Sequence, residues 1–293
     1  MREQFREKRF QKKSKELLLQ TIDILNEYKQ KDIVVTLRQL YYQLVARGFI
    51  PNTDKEYRKL SGLLTDARYC GLIDWNAIED RVRIPHKHSE FDDVLDLVHV
   101  ARNSYRLDRW QDQDYYIELF TEKDAISSVL KPIADDWHIY LNVNRGYTSA
   151  TAMYDSSKRF LDKMNDGKKC VLLYLGDHDP SGLDMIRDIT DRLSEFGAVV
   201  DVKSIALTLD QVNKYNPPPN PAKLSDSRAK WYVSHFGKTS WEVDALPPDV
   251  MINLVNSSIL DFVDIEKLNM VKKQEKKDMK QLEEFAKSLE EDN

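Results

Sequence analysis

Between residues 115 and 205 the chain alternates short apolar runs with longer amphipathic ones, and that rhythm leaves few architectures open. Runs at 115–120, 138–143, 170–175 and 198–205 have strand length, while 123–135, 148–163 and 181–196 read as helices. Strands alternating with helices imply a largely parallel sheet covered on both faces, because each parallel connection must cross over the sheet. Such sheets gather ligands outside the carboxyl ends of their strands. Two of these strands run into acids. Tyr115-Tyr116-Ile117-Glu118-Leu119-Phe120 leads to Glu122, and Val171-Leu172-Leu173-Tyr174-Leu175 leads to Gly176-Asp177-His178-Asp179-Pro180-Ser181-Gly182. Asp177 and Asp179 stand two apart, so extended backbone projects them to one side. With Glu122 they make three hard oxygen donors, a set that suits Mg²⁺, or Mn²⁺, better than zinc. An Asp-x-Asp pair alone is mostly a solvated loop; acids at two strand ends of one βα array put a metal on an equal footing with it.

The residues before this array read as helical. An amphipathic, basic first segment covers 1–30, with its helix at 13–29. Thr36-Leu37-Arg38-Gln39 carries a capping-box pattern that opens a second helix, and Gly48 ends it. A third runs from about Asp54 to Tyr69, closed by Gly71, and Leu72-Ile73-Asp74-Trp75-Asn76-Ala77-Ile78 has strand character with Arg81 and Arg83 beyond. Helix, turn, helix and short strand outline a winged helix-turn-helix over 31–88. Pro85 and His86-Lys87-His88-Ser89 mark a boundary, and a linking helix occupies 89–112 ahead of the α/β domain at 113–210. An extension, 211–293, begins with Pro217-Pro218-Pro219-Asn220-Pro221 and closes in a charged helix, whose Lys–Glu neighbours read as a solvated face.

On the second helix, Leu37, Leu40, Tyr41, Leu44 and Val45 form the buried stripe. Tyr42 lies off that stripe, one turn from Arg38. An arginine there can hold a phosphate bidentately and favour the phenolate of Tyr42. The plainer alternative is a surface tyrosine stacked on an arginine. On the third helix Lys55, Arg58, Lys59 and Arg68 flank the stripe of Tyr57, Leu60, Leu64 and Ala67, a basic face suited to DNA contact. Lys123 could neutralise a phosphate or simply open a helix, and His178 is expected to turn its ring away from the metal.

Phe120-Thr121-Glu122-Lys123-Asp124-Ala125 followed by Gly176-Asp177-His178-Asp179-Pro180-Ser181-Gly182-Leu183-Asp184 resembles the Toprim domain of topoisomerase VI A subunits and the related meiotic double-strand-break proteins. Arg145-Gly146-Tyr147 stands where that family has a Gly-Tyr turn. Arg38-Gln39-Leu40-Tyr41-Tyr42 resembles the Arg-Asp-Ile-(Phe/Tyr)-Tyr motif of the family's winged helix, with Gln39 in place of the acid. The resemblance spans roughly 33–210, and Trp241-Glu242-Val243-Asp244-Ala245-Leu246-Pro247 extends it weakly. It implies an α/β protein with an N-terminal winged helix followed by a Toprim, Rossmann-like domain. Glu122, Asp177 and Asp179 would hold the metal, Arg38 would steady the phosphate, and Tyr42 would attack it. Lys55, Arg58, Lys59, Arg68, Lys123 and Arg145 would contact double-stranded DNA. The family works as a homodimer with a separate ATPase subunit, and this chain shows no ATP-binding signature of its own. Two readings from other classes stand beside it. One is a hydrolytic Toprim nuclease using water, the other a DNA-binding subunit without catalysis.

A formal charge of −5 argues against indiscriminate coating of nucleic acid, though not against a local basic groove. With no apolar run of membrane-span length and no signal-peptide core, a cytoplasmic protein without membrane contact is expected. Cys70 and Cys170, the two cysteines, lack zinc-ligand spacing and are expected as buried, reduced thiols.

Overall fold

The computed structural model describes residues 2–79, 88, 90–144 and 148–291, with Glu79 and Glu291 described by backbone alone. The first elements are α1 (Lys12–Lys29), β1 (Val35–Thr36), α2 (Leu37–Ala46), α3 (Asp54–Tyr69) and β2 (Ile78–Glu79). At the start of α2 the Thr36 hydroxyl accepts from the Gln39 amide, and the Gln39 side chain accepts from the Thr36 amide. The capping box forms as its sequence predicts. Gly48 and Gly71 close the two helices at φ +71° and +70°, a backbone conformation that costs other residues a Cβ clash. Ile24, Tyr28, Leu40, Leu44, Leu60 and Leu64 bury their side chains between the three helices.

The expected strand at 72–78 is shorter than its composition suggests. Asp74 accepts from the Asn76 amide and bends Trp75–Ala77 into a 3₁₀ turn, so pairing begins only at Ile78. β2 then pairs with β1 in parallel. Arg81, Arg83, the Pro85–Lys87 run and Ser89 lie outside the described residues, and with them the place where a wing would form.

After α4 (Val94–Ser104) come β3 (Tyr115–Thr121), α5 (Ser127–Trp137), β4 (Tyr140–Val143), α6 (Ala150–Asn165), β5 (Lys169–Leu175), α7 (Pro180–Glu195) and β6 (Asp201–Ala206). The four strands form one wholly parallel, Rossmann-like sheet in the order β4-β3-β5-β6. Alternate side chains of the strands enter different cores, as the pleat requires. Ile117, Leu119, Val171 and Leu173 pack with Leu130 of α5 on one face. Tyr116, Phe120, Leu172 and Tyr174 meet Phe160 and Ile189, from α6 and α7, on the other. Covering both faces is what turns β5 into a nearly continuous apolar run.

One charge sits inside this sheet. Glu118, in the middle of β3, is fully buried, and it accepts two hydrogen bonds from Arg159 of α6 at 2.6 and 2.8 Å. Asn142 and the Tyr116 hydroxyl donate to it as well, each at 2.8 Å. Four donors satisfy a carboxylate that water cannot reach.

The C-terminal part contains α8 (Leu209–Tyr215), β7 (Asn220–Pro221), α9 (Ala229–Phe236), β8 (Thr239–Ser240), α10 (Pro248–Leu260) and α11 (Ile265–Glu291). α10 supplies Met251, Val255 and Ile259 to the α5 face of the sheet. The charged last helix is solvated on one side only. It runs antiparallel to α4, joined by Arg102 to Glu283 and by the Tyr105 hydroxyl to Asp278, and buries Leu268, Val271 and Ala286. Among the described residues no helix is long and apolar enough to cross a membrane. Both cysteines are free; Cys170 is buried, whereas Cys70 is only half-buried.

Candidate active site at the carboxyl ends of the central strands

β3 is the first strand of the sheet; the chain passes from it to β4 on one side and then crosses to β5 on the other. The strand order therefore reverses between β3 and β5, the switch point where open α/β sheets leave a crevice for ligands. Glu122 and Asp177 stand there, just past the ends of these paired strands, whose last partners are Thr121 and Leu175. The Asp177 amide donates to Glu122 Oε1 at 2.7 Å. Asp179 is the N-cap of α7: its Oδ1 accepts from the Gly182 amide at 2.6 Å and from the Ser181 hydroxyl at 3.0 Å.

The glycines of this loop have steric causes. A Cβ at Gly176 would fall 2.2 Å from the Tyr174 hydroxyl, and one at Gly182 would fall 2.1 Å from the Asp177 carbonyl oxygen. Gly182→Ala therefore displaces Asp177, with an expected loss of about 1–3 kcal/mol of stability read from chemical denaturation. Gly62, inside α3 with open space around it, gains about 0.5–1 kcal/mol from the same change.

His178 turns into an aromatic pocket, as expected. Its Nδ1 lies 3.0 Å from the Tyr232 hydroxyl, its ring meets Phe236 at 4.8 Å, and its backbone pairs with Trp241. That pairing brings Glu242, Val243 and Asp244 over the carboxylates. The Val243 amide donates to Asp177 Oδ1 at 2.9 Å. Lys123 Nζ lies 2.8 Å from Asp177 Oδ2, 3.0 Å from Glu242 Oε2 and 3.9 Å from Asp244 Oδ1.

The same two acids hold the N-terminal helices. Arg38 Nε donates to Asp244 Oδ2 at 2.5 Å, and its Nη2 pairs with Glu242. Nη2 also stands 3.4 Å from the Tyr42 hydroxyl. Between these contacts the apolar residues divide: Ala245 enters the core of the N-terminal helices, while Val243 and Leu246 enter the sheet core. One short segment, 242–246, thus fastens Arg38 and Tyr42 to Lys123 and Asp177 within a single chain.

Electrostatics follow from burial and these pairings. Burial pushes the Asp177 carboxyl up to about 8 and raises Glu122 as well. Burial acts the same way on Glu242, but Lys123 and Arg38 prevail and hold it down to about 2. Burial alone would lower Lys123 and Arg38, yet their acidic neighbours carry both well above their ordinary values. Tyr42 departs from expectation. It is not a surface residue: its exposure is 3%. Burial, then Asp244 and Glu242, raise its hydroxyl by more than Arg38 lowers it, so the phenol form is favoured and the phenolate is not.

The donors suit a hard divalent cation in kind, as carboxylates whose burial calls for positive charge. Their present spacing does not. Among the described residues no group of three or more His, Cys, Asp or Glu side chains is placed to hold a metal ion. The reason is local, since Lys123 and Val243 take the Asp177 oxygens while the N-cap of α7 takes Asp179 Oδ1.

The candidate DNA contacts divide. Lys55 and Arg58 are exposed on α3, and Lys59 pairs with Glu56 at 2.5 Å. Arg68 serves the fold, donating to the Trp75 carbonyl at 2.6 Å with its guanidinium over the Trp75 ring. Lys123 is held inside the acidic cluster, and Arg145 lies outside the described residues together with Gly146 and Tyr147. Glu242, Asp244 and Asn220, whose side chain donates to Glu242 Oε1 at 3.2 Å, were not singled out by the sequence. The available signal was Asp244 itself, a charge set among Val243, Ala245 and Leu246 that must find a partner when the run is buried.

No family model matches the chain, and no curated protein matches it. The functional reading rests on these residues.

Proposed function

We propose that the protein is a Mg²⁺-dependent DNA-cleaving transesterase, built as a winged helix with a nucleophilic tyrosine joined to a Toprim domain. The observation that carries the reading is the continuous network from Tyr42 and Arg38 through Glu242, Asp244 and Lys123 to Asp177, laid across the switch point of the sheet. Phosphoryl transfer needs positive charge around the phosphate and an oxygen nucleophile in line with it. Arg38 supplies the charge beside Tyr42. Its pairing with Glu242, whose side chain is 25% exposed, is the one a DNA phosphate can displace, since Asp244 is fully buried and keeps the guanidinium anchored. Tyr42 Oη forms the new bond to phosphorus and gives up its proton, the bond to the 3′ oxygen breaks, and the net proton transfer leaves a free 3′ hydroxyl beside a 5′-phosphotyrosine that keeps the break reversible. Glu122, Asp177 and Asp179 are the residues that would hold Mg²⁺, which would supply charge neutralisation to the phosphate. For an ion to reach Asp177, Lys123 would have to leave that carboxylate.

A two-fold homodimer, with the tyrosine of one subunit facing the metal site of the other, would cut both strands. Strand passage would call for a separate ATPase partner.

A second reading, hydrolysis with water as nucleophile, has support in the burial of Tyr42 and its retained proton. Incubation of the protein with end-labelled duplex DNA and Mg²⁺ or Mn²⁺, resolved on a denaturing gel, separates the two. A detergent-resistant protein–DNA adduct that disappears in Glu122→Gln supports the transesterase. Cut DNA without an adduct supports the nuclease, and intact DNA under both metals sinks both.

A further inference from the structure

Between Gln211 and Trp241 the chain carries five lysines and arginines against one carboxylate, Asp226, in a molecule whose formal charge is −5. Arg228 is spent on Asp226 and Asp184. Lys223, Lys230 and Lys238 are exposed and have no ion-pair partner among the described residues. They are brought together by the fold. The Ala222 amide donates to the Lys238 carbonyl at 2.9 Å, which sets Lys223 and Lys238 side by side at the neck of the loop that carries α9 and Lys230.

On α9, next to Lys230, stands Trp231, 54% exposed. Its indole leans on the His235 ring one turn later, centroids 4.6 Å apart and planes inclined by 31°. His235 Nδ1 lies 2.8 Å from the Trp231 carbonyl, which fixes the imidazole in that position. The indole is thus held from beneath while more than half of it remains open to water. Trp231 also meets the edge of Phe236 at 5.9 Å, and Phe236 meets His178, the residue between Asp177 and Asp179. Two ring contacts connect the exposed indole to the carboxylate loop.

A rigid exposed indole is also a common protein anchor, but lysine is depleted from protein–protein interfaces, and here Lys230 precedes the indole on α9 while Lys223 and Lys238 stand at the neck of the same loop. An exposed aromatic face on a loop that also carries unpaired cations is a design that binds single-stranded nucleic acid, with bases stacking and phosphates meeting the lysines. Bases inside a duplex are already stacked and have no face to offer. We propose that Trp231, with Lys223, Lys230 and Lys238, binds an unpaired base and its flanking phosphates, so that the protein engages single-stranded DNA beside the carboxylate site. The polymer's identity as DNA rests on the function proposed above; the stacking platform does not.

Binding in EDTA, where no cleavage occurs, tests the platform apart from the chemistry. Fluorescence anisotropy of a labelled single strand and of the matching duplex is measured for wild type, Trp231→Ala, Trp231→Phe and a triple Lys223→Gln, Lys230→Gln, Lys238→Gln variant. Trp231→Ala is expected to weaken single-strand binding about tenfold while duplex affinity stays, and Trp231→Phe to restore most of the loss. The triple variant should flatten the salt dependence of single-strand binding by about 2 in the log–log slope. Unchanged single-strand binding in Trp231→Ala, an equal loss for single strand and duplex, or no binding by wild type overturns the proposal. Thermal melts confirm that each variant is folded, as expected for changes at exposed positions. A platform that fails while the adduct assay succeeds leaves the transesterase standing, and the reverse outcome leaves the platform standing.

Discussion

Tyr42→Phe is expected to abolish the proposed covalent protein–DNA adduct, a loss of roughly 10³-fold or more, and to leave the protein as stable as before. The two halves of this expectation have separate causes. The ring of Tyr42 is core, 3% exposed and in edge contact with Tyr41 at 5.4 Å, and phenylalanine keeps all of that packing. The hydroxyl makes a long contact, 3.4 Å from Arg38, and one neutral hydrogen bond to the Asn220 side chain, so its removal costs the fold little. Chemistry is another matter, because the other tyrosine hydroxyl on α2, that of Tyr41, is turned to Asn52 and the Thr53 carbonyl. The assay is the denaturing gel, with single-turnover conditions to separate binding from cleavage. If Tyr42→Phe still cuts DNA at the wild-type rate, water is the nucleophile and the buried phenol is a packing residue. Arg38 offers a companion measurement. A DNA phosphate must displace Glu242 to reach it, so Glu242→Gln is expected to tighten DNA binding while the Asp244 anchor keeps α2 in place.

Arg159→Met destabilises the fold by about 3–5 kcal/mol, the largest stability effect expected from any single change outside the apolar core. Glu118 has no exposure and receives two of its four hydrogen bonds from Arg159. Methionine leaves that carboxylate in the sheet with only Asn142 and Tyr116 as donors. Removing the acid as well, in Glu118→Gln with Arg159→Met, should recover much of the loss, because the penalty comes from an unpaired buried charge and not from a lost attraction. Guanidinium denaturation of the two variants and wild type reads both effects. Equal stability of Arg159→Met and wild type would mean that water reaches Glu118 and that the sheet is less closed than its packing implies.

Much of the fold was legible in the chain because it depends on neighbours in sequence. The capping box at Thr36, the glycine stops at Gly48 and Gly71, and the apolar periods of α2 and α3 are local, and the structure keeps them. The parallel sheet was legible for a related reason: strand and helix periods alternate, and a parallel sheet is what such alternation can build. The short turn at Trp75–Ala77 was not, since a local hydrogen bond from Asp74 overrode the β-propensity of the run. The direction of the Tyr42 shift was also misjudged, because burial and the two acids from residues 242–244 outweigh a neighbouring arginine.

The sequence by itself determined which residues could do chemistry: an acid at the end of each of two strands, and an arginine one helical turn from a tyrosine. Their placement on strand ends and on one helix flank follows from periods of two and 3.6, which any reading of the chain contains. Only the tertiary structure decided what joins them. Glu242 and Asp244 are more than a hundred residues from Lys123 and about two hundred from Arg38, yet they close both ion pairs and lay the second half of the site over the first. A buried charge fixes that some partner must exist. Which partner it is depends on chain crossings that no local period records.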